Sequence, residues 1–394
     1  MSSDSKAARL SKRSSELSPF HVMDILSQAK SLSQQGKSIC HMEVGEPDFA
    51  TADCIVDTGI EALKQFKTHY TPATGLPELR DAIADYYDRK FSVQINPGRI
   101  IITPGASGAL QLAISCLLDV GDNILLTDPG YPCNKNIAQV LGVESISIPV
   151  SSDNNYQLNA DLIARHWNSK TRAAIVATPS NPTGTVLPET QLEELSEIVE
   201  QKKGVLIVDE IYQGLVYDAD DYTALKVSDE CIVINSFSKY FGMTGWRIGW
   251  MVVPENYVDA IDRIAQNLFL APPTVSQYAA LTALNVSTQH ILDSRKEEFK
   301  KRRDFLLPAL EQLGFEVAAK PQGAFYIYAN CEAFTDDSFT WVKKLLDAQG
   351  VALTPGIDFG SHLASKHCRF AYTQSLEVLE RAIDKIDKFI RHEK

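Results

Sequence analysis

Three short runs of consecutive apolar residues constrain the fold of this chain more than any other feature. They occupy residues 100–102, 173–177 and 205–208, and they are rich in isoleucine, valine and alanine. Strands that are apolar throughout are typical of a parallel sheet, in which both faces are buried. Helical patterns alternate with such strands from about residue 50 to 285. The alternation predicts an α/β fold with a mostly parallel sheet, right-handed crossovers and helices on both faces.

The rest of the chain predicts a second, smaller domain of α+β type. Apolar residues at helical spacing predict a helix over residues 20–35 that ends at Gly36. Short strands are predicted over residues 315–317 and 324–328. We therefore divide the chain into a flexible N-terminal segment (1–18), an N-terminal part of the small domain (19–50), a large domain (51–285) and a C-terminal small domain (286–394).

Composition narrows the class of protein. With 394 residues the chain is long enough for two domains, and its net charge of −12 disfavours binding to nucleic acid or to an anionic membrane. No apolar run approaches the length of a membrane-spanning helix. The seven cysteines form no CxxC pair, so we expect no metal site and a reducing, cytoplasmic location. The basic, serine-rich N-terminus fits either a solvated tail or a targeting segment.

The most specific chemical pattern surrounds Lys239. Ser236 and Ser238 precede this lysine, and Arg247 follows it after eight residues. A lysine amine can form a Schiff base with an aldehyde. Hydroxyl and guanidinium groups bind phosphate oxygens. The pattern predicts a site for an aldehyde cofactor that carries a phosphate, although a lysine beside serines is more often a solvated surface residue when nothing else agrees.

Asp209 directly follows the third apolar strand. Ligands of open α/β sheets lie at the carboxyl ends of the strands. A carboxylate there can pair with a protonated ring nitrogen and keep the ring electron-poor. The alternative interpretation of Asp209 is a cap of the following helix. Tyr212 comes three residues later, so its hydroxyl can reach the same cavity.

Two loops at strand ends complete the predicted cofactor site. Asn181 lies in the loop 179–184, which two prolines and a glycine restrict. Its amide can donate to a phenolate oxygen, and the alternative is an ordinary turn. The first apolar strand leads into a small-residue turn and a helix, whose free N–H groups form an anion site. These are the backbone groups of Ala106, Ser107 and Gly108. The glycine spacing does not fit dinucleotide or ATP sites.

Together these segments resemble the class I/II, fold-type I aminotransferases, which depend on pyridoxal 5′-phosphate. The motifs that carry the resemblance lie at residues 44–49 (VGEPDF), 70–75 (YTPATG), 128–132 (DPGYP), 179–184 (PSNPTG), 209–212 (DEIY), 236–249 and 368–370 (CRF). They span roughly residues 19 to 390. The resemblance implies an aspartate-aminotransferase-like fold whose large domain binds the cofactor, a homodimer, and amino acid and 2-oxo acid substrates.

The resemblance also implies a role for each matching residue. Lys239 would carry the cofactor and move a proton at the substrate's α-carbon, while Asp209 would pair with the ring nitrogen. Asn181 and Tyr212 would bind the ring oxygen, and Tyr131 would stack on the ring. Ser107, Ser236, Ser238 and Arg247 would bind the phosphate, together with Tyr70 of the neighbouring subunit. Arg369 would bind the α-carboxylate, helped by Gly45 and Asn181, and Phe20 would line the mouth.

The predicted function is transfer of an amino group from an amino acid to a 2-oxo acid by a ping-pong mechanism. Phe20 at the mouth suits a neutral or apolar side chain. The sequence leaves three alternatives open: an aspartate-type dicarboxylate aminotransferase, a carbon–sulfur β-lyase or related enzyme on the same fold, and a cofactor-binding regulator. The regulator would need a DNA-binding module, and we expect too few residues before Pro19 to form one.

Overall fold

The structure is a computed structural model, and it describes residues 10–393. The helices in that range are α1 (Lys12–Glu16), α2 (His21–Gln34), α3 (Asp53–Lys64), α4 (Pro77–Phe91), α5 (Gly105–Leu117), α6 (Pro132–Leu141), α7 (Ala160–His166), α8 (Glu189–Gln201), α9 (Val258–Leu268), α10 (Thr274–Ala283), α11 (Val286–Leu313), α12 (Ser338–Gln349) and α13 (Leu376–Glu393). The strands are β1 (Cys40–His41), β2 (Ile100–Thr103), β3 (Asn123–Asp128), β4 (Glu144–Pro149), β5 (Thr171–Ala177), β6 (Val205–Asp209), β7 (Ile232–Ser236), β8 (Gly249–Val252), β9 (Tyr326–Asn330), β10 (Val351–Ala352), β11 (Thr354–Pro355) and β12 (His367–Ala371).

A seven-stranded sheet forms the centre of the molecule, with the strand order β2-β8-β7-β6-β5-β3-β4. Strands β3, β4, β5, β6 and β7 are mutually parallel where they pair, and β8 runs antiparallel to both β2 and β7. The register places Ala177 opposite Asp209, and Asp209 opposite Ile234. The predicted mostly parallel sheet is therefore confirmed, and the carboxyl ends of β5, β6 and β7 lie side by side.

Both faces of this sheet are buried, which explains why its strands are apolar throughout. Along β6, Leu206 and Val208 pack into one hydrophobic cluster, whereas Ile207 packs into the other. Successive side chains of a strand point to opposite faces. All three side chains are at most 2 % exposed. Burial of each contributes about 1.5–3 kcal/mol, so the sheet is a rigid support for residues at its strand ends.

Two smaller sheets bring the ends of the chain together. β1 pairs in parallel with β10, and β12 lies between β11 and β9 in an antiparallel sheet. β9 begins two residues after the predicted start of a strand at residue 324. The strand predicted over residues 315–317 is wrong, because only Glu316 pairs there, in an isolated bridge with Asn330. The helix predicted over residues 20–35 corresponds to α2.

The N-terminal residues within the described range are held against α6. Arg13 of α1 donates to the carbonyl of Val140 at 2.8 Å, and Gln139 donates to the carbonyl of Glu16 at 3.3 Å. Residues 1–9 of the predicted flexible segment lie outside the described residues, and the domain division stays a prediction. Among the described helices, none is both long enough and apolar enough to cross a bilayer.

Candidate active site

A cavity of about 310 Å³ lies at the carboxyl ends of β5, β6 and β7, beside the first turn of α5 and below β12. Most of the predicted site residues line it: Phe20, Gly45, Ala106, Ser107, Tyr131, Asn181, Asp209, Tyr212, Ser238, Lys239, Arg247 and Arg369. Gly108, Ser236 and Tyr70 do not line it. The sheet topology thus brings together segments that lie far apart in the sequence.

One end of the cavity carries hydrogen-bond donors and a positive charge that can bind an anion. The helix α5 begins at Gly105, so its first backbone N–H groups, including those of Ala106 and Ser107, have no partner within the helix. The guanidinium group of Arg247 packs directly on Gly105, where an added Cβ would lie 2.4 Å from Nη2. Gly105 also has a φ of 73°, which favours glycine. Only a glycine therefore leaves room for the arginine at this helix start.

The two predicted serines lie at different depths beside this helix start. Ser238 lines the cavity, whereas Ser236 lies behind it and donates to the Ser238 hydroxyl at 2.9 Å. Gly108 is buried next to the ring of Pro104 and does not line the cavity. The structure thus presents Ser238, Arg247 and the start of α5 to an anion, with Ser236 as a support.

Lys239 is one of the residues that line the cavity. Its Nζ donates to the carbonyl oxygen of Gly45 at 2.6 Å. Burial of the amine, followed by the positive charge of Arg369, lowers the pKa of Lys239 to about 8. A lysine with such a pKa is partly neutral near pH 7, and only the neutral amine is a nucleophile.

Asp209 extends from the end of β6 into the same cavity. Its Oδ1 accepts from the backbone N–H of Ile211 at 3.0 Å. Burial raises the pKa of Asp209 to about 6, and the N–H bond and the charge of Lys239 oppose this rise. A cationic partner stabilises the ionised form of a buried carboxylate. A protonated ring nitrogen would be such a partner.

Tyr212 is paired with a second tyrosine that the sequence analysis did not identify. The hydroxyl groups of Tyr212 and Tyr326 lie 2.8 Å apart, and Tyr326 also lines the cavity. A Cβ on Gly45 would lie only 1.7 Å from the Tyr326 hydroxyl. The glycine of the VGEPDF motif signals such a close approach, but a sequence does not show which side chain fills the space. Tyr326 lies in a short predicted strand, where a tyrosine is ordinarily part of the core.

Arg369 is buried, and its guanidinium group is held by neutral oxygens in the described part of the chain. Nη1 donates to Oδ1 of Asn181 at 2.9 Å, and Nη2 donates to the carbonyl of Glu43 at 2.5 Å and to Thr354 at 3.1 Å. The group lies 4.3 Å from the centre of the Tyr326 ring. Nε is buried without a hydrogen-bond partner. A buried cation without a carboxylate partner is a strong site for a substrate carboxylate.

The contact with Arg369 also orients Asn181. Because its Oδ1 accepts from the arginine, the amide nitrogen of Asn181 is left to donate elsewhere. Asn181 lines the cavity and precedes a cis peptide bond to Pro182. The sequence predicts a hydrogen-bond donor at this position, and the free amide nitrogen of Asn181 can act as that donor.

Part of the cavity lining is apolar and includes the residues at the start of α2, and we refer to this part as the mouth. Phe20, Val22 and Met23 approach from the start of α2, and Leu110 and Ile137 lie on α5 and α6. The start of α2 is fixed by Asp358, whose carboxylate accepts from the backbone N–H groups of His21 at 2.8 Å and Val22 at 2.7 Å. The cationic side chains among the lining residues are Lys239, Arg247 and Arg369.

Tyr70 lies outside this cavity, and 82 % of the residue is exposed to solvent. Exposed apolar side chains precede it in α3 and just after that helix: Leu63 is 53 % exposed and Phe66 is 79 % exposed. Large exposed apolar side chains mark a surface for a partner where they form one contiguous patch.

The chain is similar to known transaminases over nearly its whole length. The sequence profile of the family described as "Aminotransferase class I and II" matches residues 37–386. A (5-formylfuran-3-yl)methyl phosphate transaminase of Methanocaldococcus jannaschii is 40 % identical, with 97 % of this chain and 99 % of the relative covered. A valine–pyruvate aminotransferase of Mycobacterium tuberculosis is 35 % identical over 94 % and 96 % of the two chains. The solved structure of a double mutant of Thermus thermophilus aspartate aminotransferase superposes with a TM-score of 0.91, at 30 % identity, over 97 % and 100 % of the two chains.

Proposed function

The chain belongs to the family of class I and II aminotransferases, and from that premise we propose that it binds pyridoxal 5′-phosphate and uses a neutral or apolar amino acid as donor. The fold is aspartate-aminotransferase-like, and the enzyme is an aminotransferase, as predicted. The β-lyase alternative is not favoured, because the relatives described above are transaminases.

The residues of the cavity fit this cofactor. The start of α5, Ser238 and Arg247 would hold its phosphate, while Asp209 would pair with its ring nitrogen. Tyr212 and Asn181 would bind its ring oxygen. Bound pyridoxal phosphate supplies an aldehyde that combines with amines and a ring that withdraws electrons from the substrate's α-carbon.

The chain's own residues bind the substrate and move its proton. Arg369 would bind the α-carboxylate through two hydrogen bonds, in a bidentate arrangement. This contact would orient the α-carbon towards Lys239. The lowered pKa of Lys239 lets Nζ take up the α-proton and release it again near neutral pH. Phe20, Val22 and Met23 would exclude water at the mouth.

The observation that carries the donor preference is the set of charges around the cavity. Arg247 lies at the anion site and Arg369 suits the α-carboxylate, so within the described chain no third arginine of the lining remains for a side-chain carboxylate. The lining at the mouth is apolar instead. An aspartate-type donor is less well accommodated by these residues.

A panel of amino donors with 2-oxoglutarate and with pyruvate tests this proposal. We expect turnover only when an acceptor is present, with apolar donors such as valine or leucine preferred over aspartate. Release of pyruvate and ammonia without an acceptor would indicate a lyase. A clear preference for aspartate and glutamate would contradict the donor assignment while leaving the reaction class intact.

Substitutions of Lys239 and Asp209 test the cofactor assignment. Lys239→Ala should still bind pyridoxal phosphate, through the anion site, but lose several orders of magnitude in turnover, because the amine is gone. Asp209→Ala should weaken cofactor binding and lower kcat strongly, and Asp209→Glu should retain more activity than the alanine variant. Near-parental activity of Lys239→Ala, or of Asp209→Ala, would contradict the roles given to these residues.

We also propose a homodimer in the cytoplasm. The exposed Tyr70 and its apolar neighbours Leu63 and Phe66 support a surface that a second copy covers. The buried thiols of Cys331 and Cys368 lie 3.7 Å apart as free thiols, an arrangement that a reducing compartment preserves. Sedimentation analysis checks the first statement, and cell fractionation checks the second.

A further inference from the structure

A chain of buried hydrogen bonds connects a carboxylate behind the sheet to the anion site. Nε2 of Gln213 donates to Oε2 of Glu210 at 2.8 Å, and Nδ2 of Asn235 donates to Oε1 of Gln213 at 3.0 Å. The backbone N–H of Ser236 donates to Oδ1 of Asn235 at 2.7 Å. The hydroxyl of Ser236 then donates to that of Ser238 at 2.9 Å. Only Ser238 in this series lines the cavity.

The orientation of the two amides in this chain follows from the backbone N–H of Ser236. This N–H can only donate, so Asn235 turns its oxygen towards Ser236 and its NH₂ group towards Gln213. Gln213 must then turn its oxygen towards Asn235 and its NH₂ group towards Glu210. Burial raises the pKa of Glu210 to about 8, so its carboxyl group is more than half ionised, and then only accepts, at pH 8.5. A second N–H of Gln213 donates to the carbonyl of Tyr222 at 3.1 Å, which favours the same orientation.

The last links favour one position for the proton of Ser238, because the nearer acceptor of the Ser236 proton is the Ser238 oxygen. Oγ of Ser236 accepts from the backbone N–H of Ser238 at 3.0 Å, and the carbonyl of Ile248, at 3.2 Å, is a more distant alternative for its proton. A hydroxyl group carries one proton. Because the Ser238 oxygen accepts from Ser236, the Ser238 proton is left to donate into the cavity, where an anion needs a donor.

The chain is isolated from water along its length. Glu210, Gln213, Asn235 and Ser236 are 0 %, 4 %, 3 % and 1 % exposed. Hydrogen bonds in such surroundings are strong, and an unpaired member costs more than it would at the surface. Glu210 directly follows Asp209 in the sequence, but only Asp209 lines the cavity. The carboxylate of Glu210 instead accepts from the backbone N–H of Ala224 at 2.6 Å and from the hydroxyl of Thr223.

We propose that Glu210, Gln213 and Asn235 are positioning residues that hold Ser236 in place and thereby orient the hydroxyl donor of Ser238 towards the phosphate of the cofactor. This rests on the proposed function, because it assumes that the phosphate occupies the anion site. The three residues touch neither cofactor nor substrate. Their effect should therefore be confined to ligands that carry a phosphate group.

The test compares three ligands of the apoenzyme at pH 8.5: inorganic phosphate, pyridoxal 5′-phosphate, and pyridoxal, which lacks the phosphate. In Gln213→Leu, which breaks the chain in its middle, we expect Kd for inorganic phosphate and for pyridoxal phosphate to rise about fivefold to tenfold. Kd for pyridoxal should stay within about twofold of the parental value. A merely structural role of Gln213 would weaken all three ligands alike.

Two further variants keep the test decisive. Thr223→Val is the matched control: it is buried and nearly isosteric, and it removes a hydrogen bond to the same carboxylate without interrupting the chain. It should leave all three Kd values unchanged. Glu210→Gln keeps the shape but presents an amide to existing donors, so it should reproduce the phosphate-specific loss if Gln213→Leu folds poorly.

The outcomes separate this inference from the proposed function. Unchanged phosphate affinity in both Gln213→Leu and Glu210→Gln overturns the inference alone, as does an equal loss in Thr223→Val or an equal loss for pyridoxal. If the parental apoenzyme binds neither phosphate nor pyridoxal phosphate, the cofactor assignment fails, and the inference fails with it.

Discussion

At the scale of single residues, the charge of Lys239 is set by the surroundings of its amine. Burial and the nearby Arg369 lower the pKa of Lys239 to about 8, so roughly one amine in ten is neutral at pH 7, compared with well under one in a thousand for an ordinary lysine. The apoenzyme should therefore combine with pyridoxal phosphate faster as the pH rises from 6, and the rate should level off above about pH 8. Stopped-flow absorbance checks this, and a rate that keeps rising to pH 10 would show that the amine is not perturbed.

Arg369 provides the second prediction at this scale. Arg369→Lys keeps the positive charge but loses the planar fork that reaches Asn181, Glu43 and Thr354 at once. KM should rise about tenfold or more for every amino acid and every 2-oxo acid, because all share the α-carboxylate. Steady-state kinetics with apolar and acidic substrates measure this. A rise that is confined to acidic substrates would place the arginine at the side-chain end of the cavity instead.

At the scale of elements, the start of α2 determines the shape of the mouth. Asp358 accepts from the first N–H groups of this helix and thereby fixes Phe20, Val22 and Met23. Asp358→Ala should cost about 1 kcal/mol as a lost helix cap. The same variant should lower kcat/KM for leucine several-fold and change kcat/KM for alanine little, because only a larger side chain contacts the mouth. Thermal unfolding and steady-state kinetics measure the two effects.

Asp337→Ala is the matched control for that prediction. Asp337 also caps a helix, since it accepts from the N–H groups of Phe339 and Thr340 in α12, but no residue of α12 lines the cavity. It should lower the thermal stability by a similar amount and leave the ratio of leucine to alanine turnover unchanged. If both variants shift this ratio equally, the mouth does not depend on the position of α2.

The positions of the site residues at the ends of strands were the part of the site that could best be predicted from the sequence. The apolar runs before Asn181 and Asp209 predicted buried parallel strands, and a parallel sheet brings the carboxyl ends of its strands together by construction. Tyr326 was not identified, because its approach to Gly45 and Arg369 joins segments far apart in the sequence, and neither periodicity nor local propensity encodes such a contact. The same holds for the chain from Glu210 to Ser238, whose members are ordinary polar residues until the fold brings them together.

At the scale of the whole molecule, the two ends of the chain cooperate to hold Arg369. The carbonyl of Glu43, just after β1, accepts from this arginine of β12, and Thr354 of β11 donates to the same carbonyl. β1 in turn pairs with β10. The proposed substrate-binding geometry at Arg369 therefore depends on packing between the first fifty and the last fifty residues. We expect truncation at either end to raise KM before it affects the central sheet.

Assembly decides whether each site is complete within one chain. Tyr70 is exposed and lies outside the cavity, and we predict that it completes the phosphate site of a second copy. If Tyr70→Ala proves strongly impaired, mixing it with the inactive Lys239→Ala under conditions of subunit exchange provides the test. In a mixed dimer both defects fall in one site, so the other site carries neither. At equal mixing half of the dimers are mixed, and each of these has one intact site out of two. Activity should therefore recover to about a quarter of the parental value. No recovery, with exchange demonstrated by labelled subunits, would place Tyr70 in its own subunit's site or away from the cofactor.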